Sequence, residues 1–377
     1  MKARRLFAIA RKECLHIVRD PRSLAMAIAL PMIMLFLFGY ALTLDVDRVP
    51  LVVWDESHSP ASRDFVSRFT GSRYFALRGY VTNYRDVERA IDRREAVGAL
   101  VIPNDFARAI EGGRRGAVQF IVDGTDSNTA TIVIGYANLV VSAYSLEVTI
   151  GDIVRAGGVS PSQPVDMRPR VWFNEDLASR NYIVPGLIAV IMMGIAALLT
   201  SLTVAREWER GTMEQLISTP VRGPELVLGK LLPYFAIGVI DVTLSILMGE
   251  FVYDVPLRGS VVLLFAMAGV FLAGALSLGL FISIVSKTQL LANQIALVLT
   301  FLPAFLLSGF VYPIANMPAA IRPVTYVIPA RYLVALLKGI YLKGVGLDVL
   351  AGEAALLAVF GAVMVALSVL GFKKRLA

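Results

Sequence analysis

The chain has 377 residues, of which 56% are apolar and 17% are charged, and its formal net charge is +7. A charged fraction this low excludes an ordinary soluble domain, in which about a quarter of the residues are charged. The single cysteine, Cys14, excludes an intrachain disulfide, and with only His16 and His58 as histidines no Cys/His metal site can be assembled.

Long apolar runs dominate the chain. No Asp, Glu, Lys or Arg occurs in 23–44, 181–205, 259–286, 288–321 or 354–372, and 231–249 is interrupted only by Asp241. A helix needs about 20 apolar residues to cross the hydrocarbon core of a bilayer. The sequence therefore predicts a polytopic α-helical membrane protein with six transmembrane helices, near 23–43, 183–204, 228–249, 260–285, 290–311 and 353–371.

The distribution of positive charge predicts the orientation of these helices. With both termini in the cytoplasm, the inner segments carry 15 Lys and Arg residues and the two short outer connections carry 5. This asymmetry obeys the positive-inside rule. The net positive charge of the chain therefore reflects its orientation beside anionic membrane lipid and does not indicate nucleic-acid binding.

The cytoplasmic segment 1–22 contains an amphipathic helix over residues 4–19, which we expect to lie flat at the inner membrane surface. Its apolar face consists of Leu6, Phe7, Ile9, Ala10, Cys14, Ile17 and Val18. Glu13 falls inside this face, where an unpaired carboxylate is costly. We expect Glu13 either to reach the headgroups or to meet a basic partner. The proline of Arg19-Asp-Pro-Arg22 then ends the helix.

Residues 44–181 follow the first transmembrane helix, at 23–43, and form a domain of their own. Strands are predicted at 51–54, 74–81, 97–102, 118–122 and 168–173, and helices at 60–70, 84–95, 104–111 and 127–156. Strands that alternate with helices favour a compact α/β domain. We predict that this domain is inserted on the extracytoplasmic side.

The sequence Asp123-Gly-Thr-Asp-Ser-Asn128 permits two interpretations. Asp, Gly, Ser and Asn are typical of a turn after a strand and of a helix N-cap. The alternative is a cation or ligand site built on Asp123 and Asp126. One cysteine and two distant histidines offer no Ser/His/Asp or Cys/His constellation, so hydrolytic chemistry is not expected here.

Residues 182–377 hold the other five transmembrane helices, and a short charged loop, 205–222, separates the second from the third. Gly211 marks a helix end or a hinge. Thr212 is expected to cap a new short helix that runs through Leu216 and ends before Pro220.

This short helix would lie parallel to the membrane and carry acids at its surface. Glu207, Glu209 and Glu214 would together present a negative surface to a partner protein. An ordinary solvated loop is the alternative that composition alone leaves open.

Asp241 lies in the middle of the third transmembrane helix. An intramembrane carboxylate is a candidate functional group, because its burial is costly. It could bind a cationic cargo, pair across a dimer, or accept a hydrogen bond from Thr243 or Ser245 of a neighbouring chain.

The region 313–349 is too apolar for a plain loop, yet its prolines at 313, 318, 323 and 329 forbid a continuous helix. A re-entrant or surface-lying pair of short helices on the outer side is predicted. Irregular backbone at membrane depth survives only when protein shields it or when it lines a watery cavity. Together with Tyr312 and Pro313, this region would cap the outer end of a transport route.

Four stretches resemble the membrane permeases of the ABC type 2 family, the exporter subunits of ATP-driven transporters. They are Arg11-Lys-Glu13 with Arg19-Asp-Pro-Arg22; Arg206 to Leu216 with Pro220 and Gly229-Lys230; Ser308 to Pro313 with Met317-Pro318; and Pro329-Ala-Arg-Tyr332 with Lys343-Gly344. The large domain between the first two spans is similar to that of the subgroup that includes bacterial drug and sodium exporters.

The resemblance implies a dimer of permeases, this chain with a second copy or a paralogue, each seated on a cytoplasmic ATP-binding subunit. It implies that the ATPase-coupling residues are Glu207, Glu209, Gly211, Thr212, Glu214, Leu216 and Pro220, with Glu13 in a second contact. Asp241, Tyr312 and Pro313 are candidates for the substrate path. The cargo would be a drug, a lipid-like molecule or another small substrate.

The chain has no G-x-x-x-x-G-K-[ST] sequence, so no P-loop holds ATP. We therefore expect no cofactor on this chain, no catalytic activity of its own, and ATP and Mg on the partner ATPase. The expected location is the bacterial cytoplasmic (inner) membrane, with membrane lipid and a periplasmic adaptor protein as further candidate partners.

Two other classes of protein fit the sequence less well. A membrane-anchored receptor or sensor would need a signalling domain, but the longest inner connection is about 25 residues. An ion-driven secondary transporter usually carries several intramembrane charges and internal repeats, whereas only Asp241 qualifies here.

Overall fold

The computed structural model describes residues 2–41, 47–155, 172–174 and 178–372. The chain divides into two compact units. The α/β unit spans Leu44–Pro169, and the helical unit combines Met1–Thr43 with Arg170–Ala377.

Four strands and four helices alternate along the α/β unit. They are β1 (Val49–Asp55), α3 (Pro60–Thr70), β2 (Phe75–Tyr80), α4 (Tyr84–Asp92), β3 (Gly98–Ile102), α5 (Phe106–Glu111), β4 (Gln119–Val122) and α6 (Ser127–Arg155). The sheet order is β2-β1-β3-β4, and only the β3–β4 pair is antiparallel. The four strands and four helices predicted for 51–156 are confirmed. The fifth predicted strand, at 168–173, lies mostly outside the described residues, and Trp172 and Phe173 are not in a strand.

Both faces of this sheet are covered, as the buried pattern of β3 requires. Helices α3, α5 and α6 pack on one face around Phe65 and Phe69. Helix α4 covers the other face through Val87 and Ala90. The α/β unit therefore has a hydrophobic core of its own.

Helix α6 is one of seven helices in the described residues that are long and apolar enough to cross a membrane. The six other helices coincide with the predicted spans, whereas α6 was predicted within the α/β domain. Its buried positions, Val133, Ala137, Val140 and Tyr144, repeat at helical spacing and pack into the core of the α/β unit. Its Glu147 pairs with Arg68 of α3 at 2.9 Å. The chain is therefore a mostly helical, multi-pass membrane protein, and α6 belongs by its packing to the α/β unit.

Ten α-helices make up most of the described helical unit. They are α1 (Ala3–Arg19), α2 (Pro21–Ala41), α7 (Ser179–Glu209), α8 (Thr212–Ser218), α9 (Gly223–Phe251), α10 (Val261–Ser286), α11 (Gln289–Ala296), α12 (Leu302–Leu307), α13 (Pro329–Lys338) and α14 (Leu347–Gly371). A π-helical turn, Leu297–Phe301, joins α11 to α12, so that the two form one long rod.

Helix α7 is the centre of the helical unit, because most of its side chains are buried. It packs closely on α10 at Gly279, where a Cβ atom would lie 2.3 Å from the carbonyl oxygen of Ala197. The hydroxyl of Thr200 donates a hydrogen bond to the carbonyl of Leu276 at 2.8 Å across the same contact. Glycine is therefore required at position 279 for the two backbones to approach this closely.

The proline-rich region 313–349 forms short helical pieces, as predicted. Two 3₁₀ turns, Ile314–Asn316 and Val324–Val327, precede α13, and a second π-helical turn, Gly339–Lys343, follows it. Leu333, Leu336 and Tyr341 are fully buried in the core of the helical unit. These parts of the region therefore pack into the helical bundle.

Candidate functional site

Helix α1 lies along the first turns of α9, and Gly229 makes the contact possible. A Cβ atom at this position would lie 2.8 Å from the Cβ of Ile9 and 3.1 Å from the carbonyl oxygen of Leu6. Ala10 and Glu13 are buried in the same contact. Only one stripe of the predicted apolar face of α1 therefore contacts the bundle.

The remainder of that predicted face points away from the bundle. Phe7 and Val18 are 69% and 68% exposed, and Cys14 is exposed beside them. These residues are free to contact the lipid surface that the sequence predicted for this helix. The helix ends at Arg19, and Pro21 begins α2, so the predicted break is confirmed.

The start of α1 is tied to the start of α9 by polar contacts. The backbone N–H of Lys2 donates to Oε1 of Glu225 at 2.7 Å, and the backbone N–H of Arg222 donates to Oε2 at 3.0 Å. The guanidinium of Arg5 donates to the carbonyl of Pro220. The loop that contains Pro220 is thereby attached to α1.

Four charged side chains meet between α1, α7 and α9, and we call them the ion cluster: Lys12, Glu13, Glu207 and Lys230. The Nζ of Lys230 lies 2.9 Å from Oε1 of Glu13 and 3.0 Å from Oε1 of Glu207. The Nζ of Lys12 lies 2.6 Å from the same Oε1 of Glu207.

Burial makes the central part of this cluster energetically important. Glu13, Glu207 and Lys230 are 5%, 7% and 1% exposed. Two carboxylates and two ammonium groups balance each other, which is the condition under which buried charges are tolerated. Removal of one buried member leaves the others uncompensated, so the cluster fixes the relative positions of three helices.

The structure corrects the predicted exposure of Glu207. We expected Glu207, Glu209 and Glu214 to share one exposed surface, but Glu207 points into the bundle and is paired within the chain. Glu207 faces inward because the ammonium group of Lys230 lies beside the end of α7. The sequence alone does not show that α9 places Lys230 there. For Glu13 the basic partner is confirmed, and it is Lys230 of the same chain.

Glu209 lies on the other side of α7 and is exposed. Its Oε1 accepts a hydrogen bond from the backbone N–H of Gln289 at 2.7 Å, and its Oε2 accepts one from the Gln289 side chain. Glu207 and Glu209 therefore connect the end of α7 to two different neighbours, α1 with α9 and the start of α11.

Gly211 separates α7 from α8, as predicted, with φ at +68°. This left-handed conformation favours glycine. The expected N-cap at Thr212 is wrong, because Gly211 holds that position and Thr212 is the first helical residue. The hydroxyl of Thr212 instead donates to the carbonyl of Glu207 at 3.3 Å.

Helix α8 ends at Ser218, two residues beyond the predicted end at Leu216. Met213 is 1% exposed and Leu216 is half-buried, and both pack against the core of the helical unit. Leu216 therefore attaches α8 to the bundle. Thr212, Glu214, Gln215 and Pro220 remain exposed and form the outer side of the segment.

Asp241 is the second buried charge of interest in the helical unit. Its side chain is 6% exposed, and its Oδ1 has no hydrogen-bond partner among the described residues. Tyr312 and Pro313, the other candidates for the substrate path, lie in an exposed stretch after α12. They line neither the cavity beside Glu13 and Glu207 nor the recess beside Asp241.

In the α/β unit, the contacts at Asp123 and Asp126 support the turn interpretation. The backbone N–H and the hydroxyl of Thr125 donate to Oδ1 of Asp123 at 2.9 and 2.7 Å, and these bonds lower the pKa of the Asp123 carboxyl. The carbonyl of Asp126 accepts from Ala130 at 2.9 Å, as an N-cap residue does. Within the described residues no group of three or more His, Cys, Asp or Glu side chains could hold a metal ion.

Lys230 is the residue that sequence reasoning missed. In the sequence it stands at the end of the Gly229-Lys230 motif, near the start of an apolar helix, where a lysine at the inner membrane surface is ordinary. Together with Glu13 on an apolar face, it offered a signal for a buried pair. The two residues are 217 positions apart, and only the tertiary structure brings them together.

Comparison with known proteins gives a consistent result over almost the whole chain. The profile of the ABC-2 family transporter proteins matches residues 21–370. The probable multidrug ABC transporter permease YbhS of Escherichia coli K12 is 39% identical over 342 residues, which cover 90% of this chain and 89% of that protein. The probable multidrug ABC transporter permease YbhR of the same organism is 30% identical and covers 92% of each chain. The inner membrane transport permease YhhJ is 23% identical, over 99% and 98% of the two chains.

Proposed function

Because the chain belongs to the ABC-2 family of transporter proteins and is the permease subunit of an ABC exporter, we propose that α8 is its docking element for the ATP-binding subunit. The observation that carries this proposal is the arrangement of α8: Met213 attaches it to the bundle while Thr212, Glu214 and Gln215 stay exposed. A short helix held rigidly on one side and open on the other suits contact with a partner protein.

The proposal assigns the contact to Glu214, with Thr212 beside it and Pro220 at the end of the segment. Gly211 gives α8 its angle to α7, and Leu216 holds it against the bundle. Glu207 and Glu13 act behind this surface, because the ion cluster joins the end of α7 to α1 and α9. A displacement of α8 by the partner is thereby passed to three helices. Glu209 passes it to α11 through Gln289.

ATP and Mg bind to the partner subunit, and no cofactor binds to this chain in this proposal. The chain carries no P-loop sequence. It forms the translocation path with a second permease, either a copy or a paralogue, for a drug, a lipid-like molecule or another small substrate. Membrane lipid surrounds the bundle, and a periplasmic adaptor protein is a further candidate partner.

We place the protein in the bacterial inner membrane, with six transmembrane helices, cytoplasmic termini and the α/β unit outside. The packing of α6 on the core of the α/β unit supports the count of six. The exposed Cys14, the only cysteine of the chain, allows a direct test. A membrane-impermeant maleimide should label inverted vesicles and leave right-side-out vesicles unlabelled. Labelling of right-side-out vesicles alone would reverse the orientation.

The docking proposal is tested by reversal of one charge. Glu214→Lys should weaken the association between permease and ATPase about tenfold and reduce ATP-dependent export, while the purified permease stays folded in gel filtration. Glu250→Lys, at the opposite end of α9, is the matched control and should leave the association unchanged. Normal association and export in Glu214→Lys would contradict the assignment.

A further inference from the structure

The helical unit contains a cavity of about 340 Å³. The residues assigned to ATPase coupling leave this cavity open. Helices α1, α2, α7, α9 and α11 surround it, and most of its wall is aliphatic, with Leu30, Leu199 and Ile237 among the lining residues. This volume lies at the lower end of the range of small-molecule sites, about 300–1,000 Å³. The ion cluster contributes Glu13 and Glu207 to one end of the wall.

A narrow recess of about 10 Å³ adjoins this cavity and leads to Asp241. Ile195 and Leu199 line both the cavity and the recess, so these two side chains form the common wall. The rest of the recess is apolar apart from Ser245. A small movement of two aliphatic side chains would therefore bring a ligand in the cavity into contact with the Asp241 carboxylate.

The charges around the cavity are balanced except at Asp241. Glu13 and Glu207 are compensated by Lys12 and Lys230 in the ion cluster. Arg206 and Asp20 also line the cavity and carry opposite charges. Asp241 is 94% buried, and among the described residues its Oδ1 has no partner. A carboxylate in an apolar wall is costly in its charged form unless a proton or a cation neutralises it.

We propose that this cavity binds a lipophilic monocation, whose apolar groups fill the space between α2 and α7 and whose positive charge is neutralised by Asp241. The assignment rests on the proposed translocation path, because it names the chemical class of the cargo. One unpaired carboxylate in the adjoining recess favours a single positive charge. An anion would be repelled by that carboxylate, and a neutral molecule would leave a proton as its only neutralising group.

The experiment uses the permease–ATPase complex in lipid nanodiscs without ATP, with radiolabelled tetraphenylphosphonium as the probe. Tetraphenylborate has nearly the same size and shape with the opposite charge, and triphenylphosphine oxide is a neutral analogue. Saturable binding of tetraphenylphosphonium is expected, with no competition from tetraphenylborate. Asp241→Asn should weaken the binding about tenfold or more, and Leu199→Trp, which fills the cavity, should abolish it.

Glu250→Gln removes a carboxylate from the same helix outside the recess and should bind the probe as the wild type does. Equal affinity in Asp241→Asn and wild type would overturn the proposal, as would equal competition by the neutral and the cationic compound, which would indicate a lipid-like apolar site. Export of the probe is then measured in ATP-loaded proteoliposomes. Saturable, Asp241-dependent binding without export there would leave the cavity assignment intact and contradict the proposed translocation path instead.

Discussion

The ion cluster and Asp241 are two sites of buried charge in one helical unit, and they are arranged in opposite ways. In the ion cluster, Lys230 lies about 3 Å from two carboxylates that come from two other helices. Asp241 lies on the same helix, α9, with an oxygen that has no described partner. Mutually compensated charges join helices, whereas a lone charge is a cost to the fold that a ligand can remove.

The positions of the two sites on α9 fit this difference. Lys230 lies in the second turn of the helix, next to the attachment of α1 and close to α8. Asp241 follows 11 residues later, deep in the predicted span and beside the cavity. The first site suits the transmission of movement from the ATPase, and the second suits contact with cargo.

The largest expected effect comes from Lys230→Met. Loss of the ammonium group leaves Glu13 and Glu207 buried with only the half-exposed Lys12 nearby, which should lower the free energy of unfolding by about 3–5 kcal/mol. Thermal unfolding of the purified permease, followed by gel filtration of the remaining soluble fraction, measures the loss. Lys343→Met, an exposed lysine of the same unit, is the control and should have no effect.

The triple variant Glu13→Gln, Glu207→Gln, Lys230→Met separates charge from packing. It should recover most of the stability lost in Lys230→Met, because no unpaired buried charge remains. If Lys230→Met alone unfolds at the wild-type temperature, the ion cluster does not join the helices as we conclude.

Gly229→Val should have the next largest effect, because it separates α1 from α9 and breaks the geometry of the ion cluster. The new side chain meets Ile9 and the backbone of Leu6, and such overpacking costs about 1–3 kcal/mol. Displacement of α1 should also speed cleavage by trypsin after Arg11 and Lys12, which limited proteolysis can follow. Gly352→Ala is the control, since a Cβ atom there has nothing within 4 Å. Unchanged proteolysis in Gly229→Val would show that α1 does not depend on this contact.

Asp241→Asn should change stability in the opposite direction from Lys230→Met. A neutral amide in the apolar recess removes the cost of an uncompensated carboxylate, so the unfolding free energy should rise by about 1–3 kcal/mol. The same thermal assay measures it, and Glu250→Gln should leave the value unchanged. A clear loss of stability in Asp241→Asn would mean that the carboxylate is paired in the folded protein, and the contrast with the ion cluster would fail.

The elements of this fold were predictable where the signal is local. The break at Pro21, the helix end at Gly211 and the strand–helix alternation of 51–156 follow from a few neighbouring residues each. The amphipathic pattern of α1 also showed that Glu13 lies on an apolar face, where it must reach either the headgroups or a basic partner. In each case the determinant lies within one or two helical turns of the feature.

The site was less predictable because its determinants lie far apart in the sequence. Glu207 and Glu209 are two residues apart and appeared equivalent, yet one pairs with Lys230 and the other with Gln289. The direction of each side chain depends on the packing of α1 and α11 against α7. The burial of Leu216 likewise depends on the position of α8 against the bundle. A single sequence shows the charges but not which of them face each other.

Lys12→Met should have the smallest effect, and it compares an exposed with a buried lysine inside the ion cluster. Lys12 pairs with Glu207 at 2.6 Å, but 45% of its side chain is exposed and Glu207 retains Lys230 at 3.0 Å. Water screens an exposed charge, so Lys12→Met should lower the free energy of unfolding by less than about 1 kcal/mol. The expected loss for Lys230→Met is about 3–5 kcal/mol. Thermal unfolding at low and at high salt distinguishes the two lysines, because screening should reduce the effect of Lys12→Met and leave that of Lys230→Met nearly unchanged. Equal losses of stability in both variants would mean that burial does not determine how much each lysine stabilises the fold. The ion cluster would then act as one exposed network and not as a buried connection between three helices.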